Sequence, residues 1–257
     1  VVAGEAQRKG GQILHFLAVG RQASPVARVG LSGSNLNDIR CLEFLPGSRN
    51  SFLAAGLAHI SRWTFAGGLL AVEELPFDLN MKISGRQNDV PTEPRSPGLP
   101  EPPERQTLAF EALIFINRQL FIAAGNDGCL YVFHQFRFVL DHIAHLREPI
   151  LSLCASPENP NFFVSGGQKG CVNLWRIRNT EGEGKFNLEL KNEYELVRKE
   201  ESGTLGETNR TFSGCVFGDF GIQALQFRGG DIIAGCQNGK LFQLIVPRVA
   251  SKDKLID

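Results

Sequence analysis

An all-β repeat array is the fold class this sequence predicts, on three observations. The first is a hairpin. Ser165-Gly-Gly-Gln-Lys-Gly-Cys-Val-Asn-Leu-Trp-Arg-Ile177 reads as a strand, a tight turn at Gln168-Lys169-Gly170 and a second strand carrying a Trp. Glycine supplies positive φ at such a turn without a Cβ penalty. Val172, Leu174 and Ile177 flank polar Asn173 and Arg176, the pattern of a half-buried strand. The second observation is that this unit recurs, at Phe121–Phe133, at Ile232–Leu244 and, more loosely, at Phe52–Trp63. The third is its spacing. Gly125 and Gly167 lie 42 residues apart, while Gly56 to Gly125 is 69 and Gly167 to Gly235 is 68. The longer intervals read as one repeat of about 40–45 residues plus an insertion.

Each hairpin is preceded by a further strand-like run: 38–45, 108–115, 149–154 and 222–227. The first three are followed by candidate outer strands at 69–76, 136–143 and 188–197. Four strands per repeat make a propeller blade. The prediction is therefore a partial WD40-type β-propeller over residues 1–257, with about four blades visible. Residues 11–20 read as the outer strand of a repeat whose beginning is missing. The chain opens at Val1 rather than Met, and it is expected to be a piece of a larger propeller.

Two insertions interrupt the pattern. Residues 80–106 hold Pro91, Pro94, Pro97, Pro100, Pro102 and Pro103 and almost no large apolar side chains. Prolines remove ladder donors, and so few apolar groups cannot offset ordering entropy, so a disordered surface insertion is expected. Residues 198–211 read as a second loop insertion. Insertions in repeat folds cluster on one face, often the binding face.

Hydrophobic residues make up 42% of the chain and charged ones 21%, a balance suited to a buried core. Lys plus Arg equals Asp plus Glu at 27 each, which argues against a generic binder of nucleic acid or acidic membrane. No apolar run approaches the length of a membrane span. The six cysteines, Cys41, Cys129, Cys154, Cys171, Cys215 and Cys236, form no CxxC pair and read as small apolar strand residues in a reduced, intracellular setting. The chain contains no P-loop, GxSxG or HExxH pattern and no cluster at metal-ligand spacing. Neither a cofactor, a metal nor a catalytic residue is expected, and the chain is not read as an enzyme.

The repeats resemble WD40 repeats. In such blades a His before the inner strand, a Ser or Thr in the second strand, an Asp in the hairpin turn and a Trp in the third strand form a hydrogen-bonded set. His145, Ser165 and Trp175 match it, with Lys169 in the Asp place. Asp127 fits that place one repeat earlier, where Phe133 replaces the Trp. These four residues, His145, Ser165, Trp175 and Asp127, are assigned a structural role. The order of features is similar to the echinoderm microtubule-associated protein-like (EMAP-like) family. The likeness rests on Ala58-His-Ile-Ser-Arg-Trp-Thr-Phe-Ala-Gly-Gly-Leu-Leu70, on 108–133, on Ala144-His145 through Ile150-Leu-Ser-Leu-Cys154, and on Phe220-Gly-Ile-Gln-Ala-Leu-Gln-Phe227 with 232–244. It covers about residues 36–246. The hydrophobic motif that precedes the propellers in that family is not visible.

The resemblance implies a non-catalytic scaffold, cytoplasmic and cytoskeletal, that binds tubulin or microtubules. The alternative is a WD40 adaptor of another complex, such as a ubiquitin ligase or a trafficking assembly. Tubulin has an acidic outer surface, so cations in or near turns and loops are the candidate partner-binding residues: Arg40, Arg62, Arg86, Arg95, Arg118 and Lys169.

Overall fold

The computed structural model describes residues 2–6, 12–19, 23–30, 38–66, 69–76, 107–144, 148–179, 185–196 and 221–246. For 2–30 the description is of backbone alone. Both insertions, 80–106 and 198–211, lie outside the described residues, as do Arg86, Arg95, His145 and Cys215.

Among the described residues all elements are strands, β1 to β18 in chain order, and no helix there is long and apolar enough to cross a membrane. The chain divides into two compact units. Unit 1 comprises residues 1–150 and 179–186, and unit 2 comprises 151–178 and 187–257.

Unit 1 holds three sheets. In the first, β1 (Val2–Ala6), β2 (Gln12–Val19) and β3 (Ala23–Gly30) lie in the order β1-β2-β3. The segment expected to be an outer strand is thus the middle strand of its sheet. Its backbone pairs on both sides, with β1 through Phe16↔Val2 and with β3 through His15↔Arg28. The second sheet runs β4 (Ile39–Phe44), β5 (Ser51–Gly56), β6 (His59–Ala66) and β7 (Leu69–Glu74). The third runs β8 (Phe110–Phe115), β9 (Leu120–Gly125), β10 (Cys129–His134) and β11 (Arg137–Ile143). Consecutive strands of these sheets pair antiparallel.

Unit 2 repeats the plan. Its first sheet is β12 (Ile150–Ala155), β13 (Phe162–Gly167), β14 (Cys171–Asn179) and β15 (Phe186–Glu195). Its second is β16 (Ile222–Arg228), β17 (Asp231–Cys236) and β18 (Leu241–Leu244), three strands among the described residues. The all-β prediction and the four repeated hairpins hold, and every predicted inner and outer strand from residue 38 onward is a strand.

Each unit buries its own core. In unit 1, Leu53, Ile60, Phe110, Phe121, Tyr131 and Phe133 pack together at 6% exposure or less. In unit 2 the core is Val164, Val172, Leu174, Ile222, Ile232 and Leu244. The second strands β5, β9 and β13 are apolar or small because they are covered on both faces, whereas β17 alternates between buried and half-buried positions. Every residue of β9 is buried, and all of β5 except Ser51.

Two kinds of glycine shape the hairpins. Gly128, Gly170 and Gly239 hold φ of 81°, 87° and 80° and close turns that begin at Gly125, Gly167 and Cys236. Gly56 has a different task. A Cβ there would sit 1.5 Å from the carbonyl oxygen of Asp38, so it allows one backbone to run against another. The first hairpin has no glycine in its two-residue turn, and Ala58 takes φ of 58° instead.

Candidate interaction surface

The repeated hairpins place one residue pair at the same register in each of the four sheets from residue 38 onward. Phe52 faces Trp63, Phe121 faces Phe133, Phe163 faces Trp175 and Ile232 faces Leu244. The first three are stacked rings, with centroids 5.8, 4.7 and 6.3 Å apart. Trp63 and Trp175 are 1% and 2% exposed. A buried indole N–H needs an acceptor. Trp175 Nε1 donates to Ser165 Oγ at 2.8 Å, as the repeat pattern predicts.

Trp63 finds its acceptor elsewhere. Its Nε1 donates at 2.8 Å to Ser61 Oγ, which in turn donates to the Ala54 carbonyl. Ser61 stands in the third strand, opposite Ala54 in the second. In the later repeat the hydroxyl is in the second strand, where Ser165 faces Asn173. The hydroxyl has moved across the ladder while its bond to the indole is kept. This first set was not read from the sequence, because the pattern looks for Ser in the second strand. In the middle repeat the place of Trp is taken by Phe133, which needs no acceptor. Asp127 there serves its own hairpin, accepting from Cys129 N at 3.1 Å and from Tyr131 Oη at 2.7 Å.

These polar groups are spent inside the sheets, so chemistry toward a partner must come from elsewhere. Arg40 donates to Asp38 Oδ2 from Nε and Nη2, at 3.2 and 3.1 Å, and to Glu111 from Nη1. Burial works against its charge, but the two carboxylates outweigh it and raise its pKa further. Arg62 lays its guanidinium over the Phe136 ring, 4.8 Å from the centroid, and its buried Nε has no hydrogen-bond partner. Arg118 is exposed, with its guanidinium against Gly47. Lys169 is exposed in the turn between β13 and β14.

The structure thus ties Arg40 to carboxylates and brings Arg62 and Arg118 toward one end of the unit 1 sheets. Lys169 stands on a turn of the other type, between second and third strands. Burial pushes the Cys41 thiol and the Glu43 carboxyl upward in pKa, the thiol far above its usual range. Among the described residues no group of three or more His, Cys, Asp or Glu side chains gathers to hold a metal ion.

No family model matches the sequence, and no curated protein matches it. Solved structures do. The beta-propeller domain of Cps50 (Swd1) from Myceliophteria thermophila aligns with a TM-score of 0.57 at 12% identity, over 96% of this chain and 70% of that one. U3-55K aligns with a TM-score of 0.53 at 15% identity, over 92% of this chain. This chain covers 57% of the U3-55K chain. The WD40 beta propeller domain of Doa1 aligns more loosely, with a TM-score of 0.49 at 15% identity, over 94% of this chain and 62% of that one. The repeated up-and-down sheets and the first two likenesses show that this chain has an all-β fold of the β-propeller type.

Proposed function

We propose that this chain is a non-catalytic interaction scaffold whose partners are proteins. The observation that carries the reading is where its polar side chains go. The Ser61 and Ser165 hydroxyls and the Asp127 carboxylate bond indole, phenol and backbone groups of their own sheets, and the buried Ser152 hydroxyl donates to the Ile222 carbonyl of the next sheet. Among the groups left on the surface are cations on turns and exposed apolar side chains, the material of protein interfaces. WD40-type propellers present such turns on a rigid frame.

Within that reading the partner we propose is tubulin, in a cytoplasmic, cytoskeletal setting. Support comes from the resemblance of residues 36–246 to the EMAP-like family and from exposed arginines suited to an acidic surface. Co-sedimentation of the chain with taxol-stabilised microtubules tests it. Pelleting that depends on microtubules and falls as salt rises supports tubulin. No pelleting at low salt removes tubulin and leaves an adaptor of another protein assembly.

A further inference from the structure

Unit 1 segregates its charge along the strands. Three turns lie at one end of its two four-stranded sheets, 45–50, 116–119 and 134–137, beside the ends of β6 at Ala66 and β7 at Leu69. Bonds between them fix this grouping. Phe65 N donates to Asn50 O at 2.8 Å, and Gln135 N donates to Gln119 O at 2.7 Å. Arg118 from the second sheet reaches Gly47 of the first, and Arg62 of the first lies over Phe136 of the second.

These turns carry Arg49, Arg118 and Arg137, all exposed, and no Asp or Glu. None of the three arginines is in an ion pair among the described residues. Among the described residues, the opposite end of the same sheets carries Asp38, Glu73, Glu74 and Asp127, and Arg40 there is held by Asp38 and Glu111. In a chain of zero net charge, the described residues of these turns therefore present cations and no carboxylate. Two apolar side chains stand exposed at that end, Phe44 at 39% and Leu69 at 78%.

We infer that this turn end of unit 1 is a docking face for an acidic polypeptide segment that also carries apolar side chains. Arginine beside exposed aromatic and aliphatic groups is the composition of a protein interface. A phosphate backbone is matched instead by a longer run of cations, on the order of six or more contacts. The inference rests on the scaffold reading but not on tubulin being the partner. It adds Arg49 and Arg137, which reading the sequence alone did not single out, and it excludes Arg40, whose charge is already met.

The test is fluorescence anisotropy of the full chain with a fluorescein-labelled peptide of Glu-Glu-Phe repeats. The wild type should bind, and affinity should fall as salt rises. The triple variant R49E/R118E/R137E should bind at least about tenfold more weakly, and R49Q/R118Q/R137Q should lose a smaller factor. K240E, an exposed cation of unit 2, should leave affinity unchanged. Absence of wild-type binding, unchanged affinity in both triple variants, or an equal loss in K240E would overturn the proposal. So would tighter binding of an oligothymidylate than of the peptide. Peptide binding without microtubule pelleting removes tubulin alone. Microtubule pelleting that survives both triple variants removes this face alone.

Discussion

The indole nitrogen of Trp63 donates to Ser61 Oγ, two residues earlier on the same strand, at 2.8 Å. The same bond in the later repeat crosses to the neighbouring strand, from Trp175 to Ser165. Ser61 and Ala54 are direct cross-strand partners, so either position can hold the hydroxyl. Ser61→Ala should cost about 1–3 kcal/mol, the penalty for an unsatisfied buried donor. Adding Ala54→Ser to that variant should recover part of the loss. Urea unfolding of the two variants checks this, and a double variant no more stable than Ser61→Ala contradicts it.

Trp175 combines that bond with a stack on Phe163. Trp175→Ala should destabilise unit 2 by about 3–5 kcal/mol, the range for deleting a large core side chain. Trp175→Phe keeps a ring against Phe163 and should cost less. An unchanged midpoint in Trp175→Ala, followed by circular dichroism in urea, would show that the tryptophan does not organise its sheet.

The turn between β10 and β11 holds two non-glycine residues at positive φ, Gln135 at 51° and Phe136 at 62°. Gln135 is exposed, so Gln135→Gly should be neutral or stabilise by up to about 1 kcal/mol. Phe136 meets Phe121, with centroids 6.2 Å apart, and carries the Arg62 guanidinium. Phe136→Gly should therefore destabilise despite relieving the backbone. Thermal melts of the two variants should move in opposite directions or, at the least, differ by several degrees.

Much of this fold was legible in the sequence because hairpin turns and alternating strands are local signals. The Trp175–Ser165 bond was legible for the same reason, since both residues sit at fixed offsets in one repeat. The Trp63–Ser61 bond was not, because its serine occupies the ladder position that the pattern assigns to another side chain. Arg40 read as a candidate partner-binding cation in or near a turn, yet Glu111 from a distant inner strand captures it. Gathering Arg49, Arg118 and Arg137 at one end required knowing which turns share that end. Residues 11–20 read as an outer strand because an isolated strand carries no mark of having neighbours on both sides.

Glu43 supplies a pH test. Burial raises its carboxyl pKa, so the folded state binds its proton more tightly than the unfolded chain does. Its contribution is fully present below the ordinary carboxyl pKa and is lost as pH rises through the raised folded value. Glu43→Gln should therefore gain stability relative to wild type as pH rises from about 4 to 7. Parallel melts across that range check it. A gap between variant and wild type that does not change with pH would assign the effect to something other than titration.

The most direct measurement is microtubule co-sedimentation of the wild type beside R49E/R118E/R137E, at low and at high salt. The account predicts that the wild type pellets with microtubules at low salt and is released at high salt. The triple variant should remain in the supernatant at both. A wild type that stays in the supernatant at low salt would contradict the tubulin reading, and a triple variant that pellets like the wild type would contradict the arginine face.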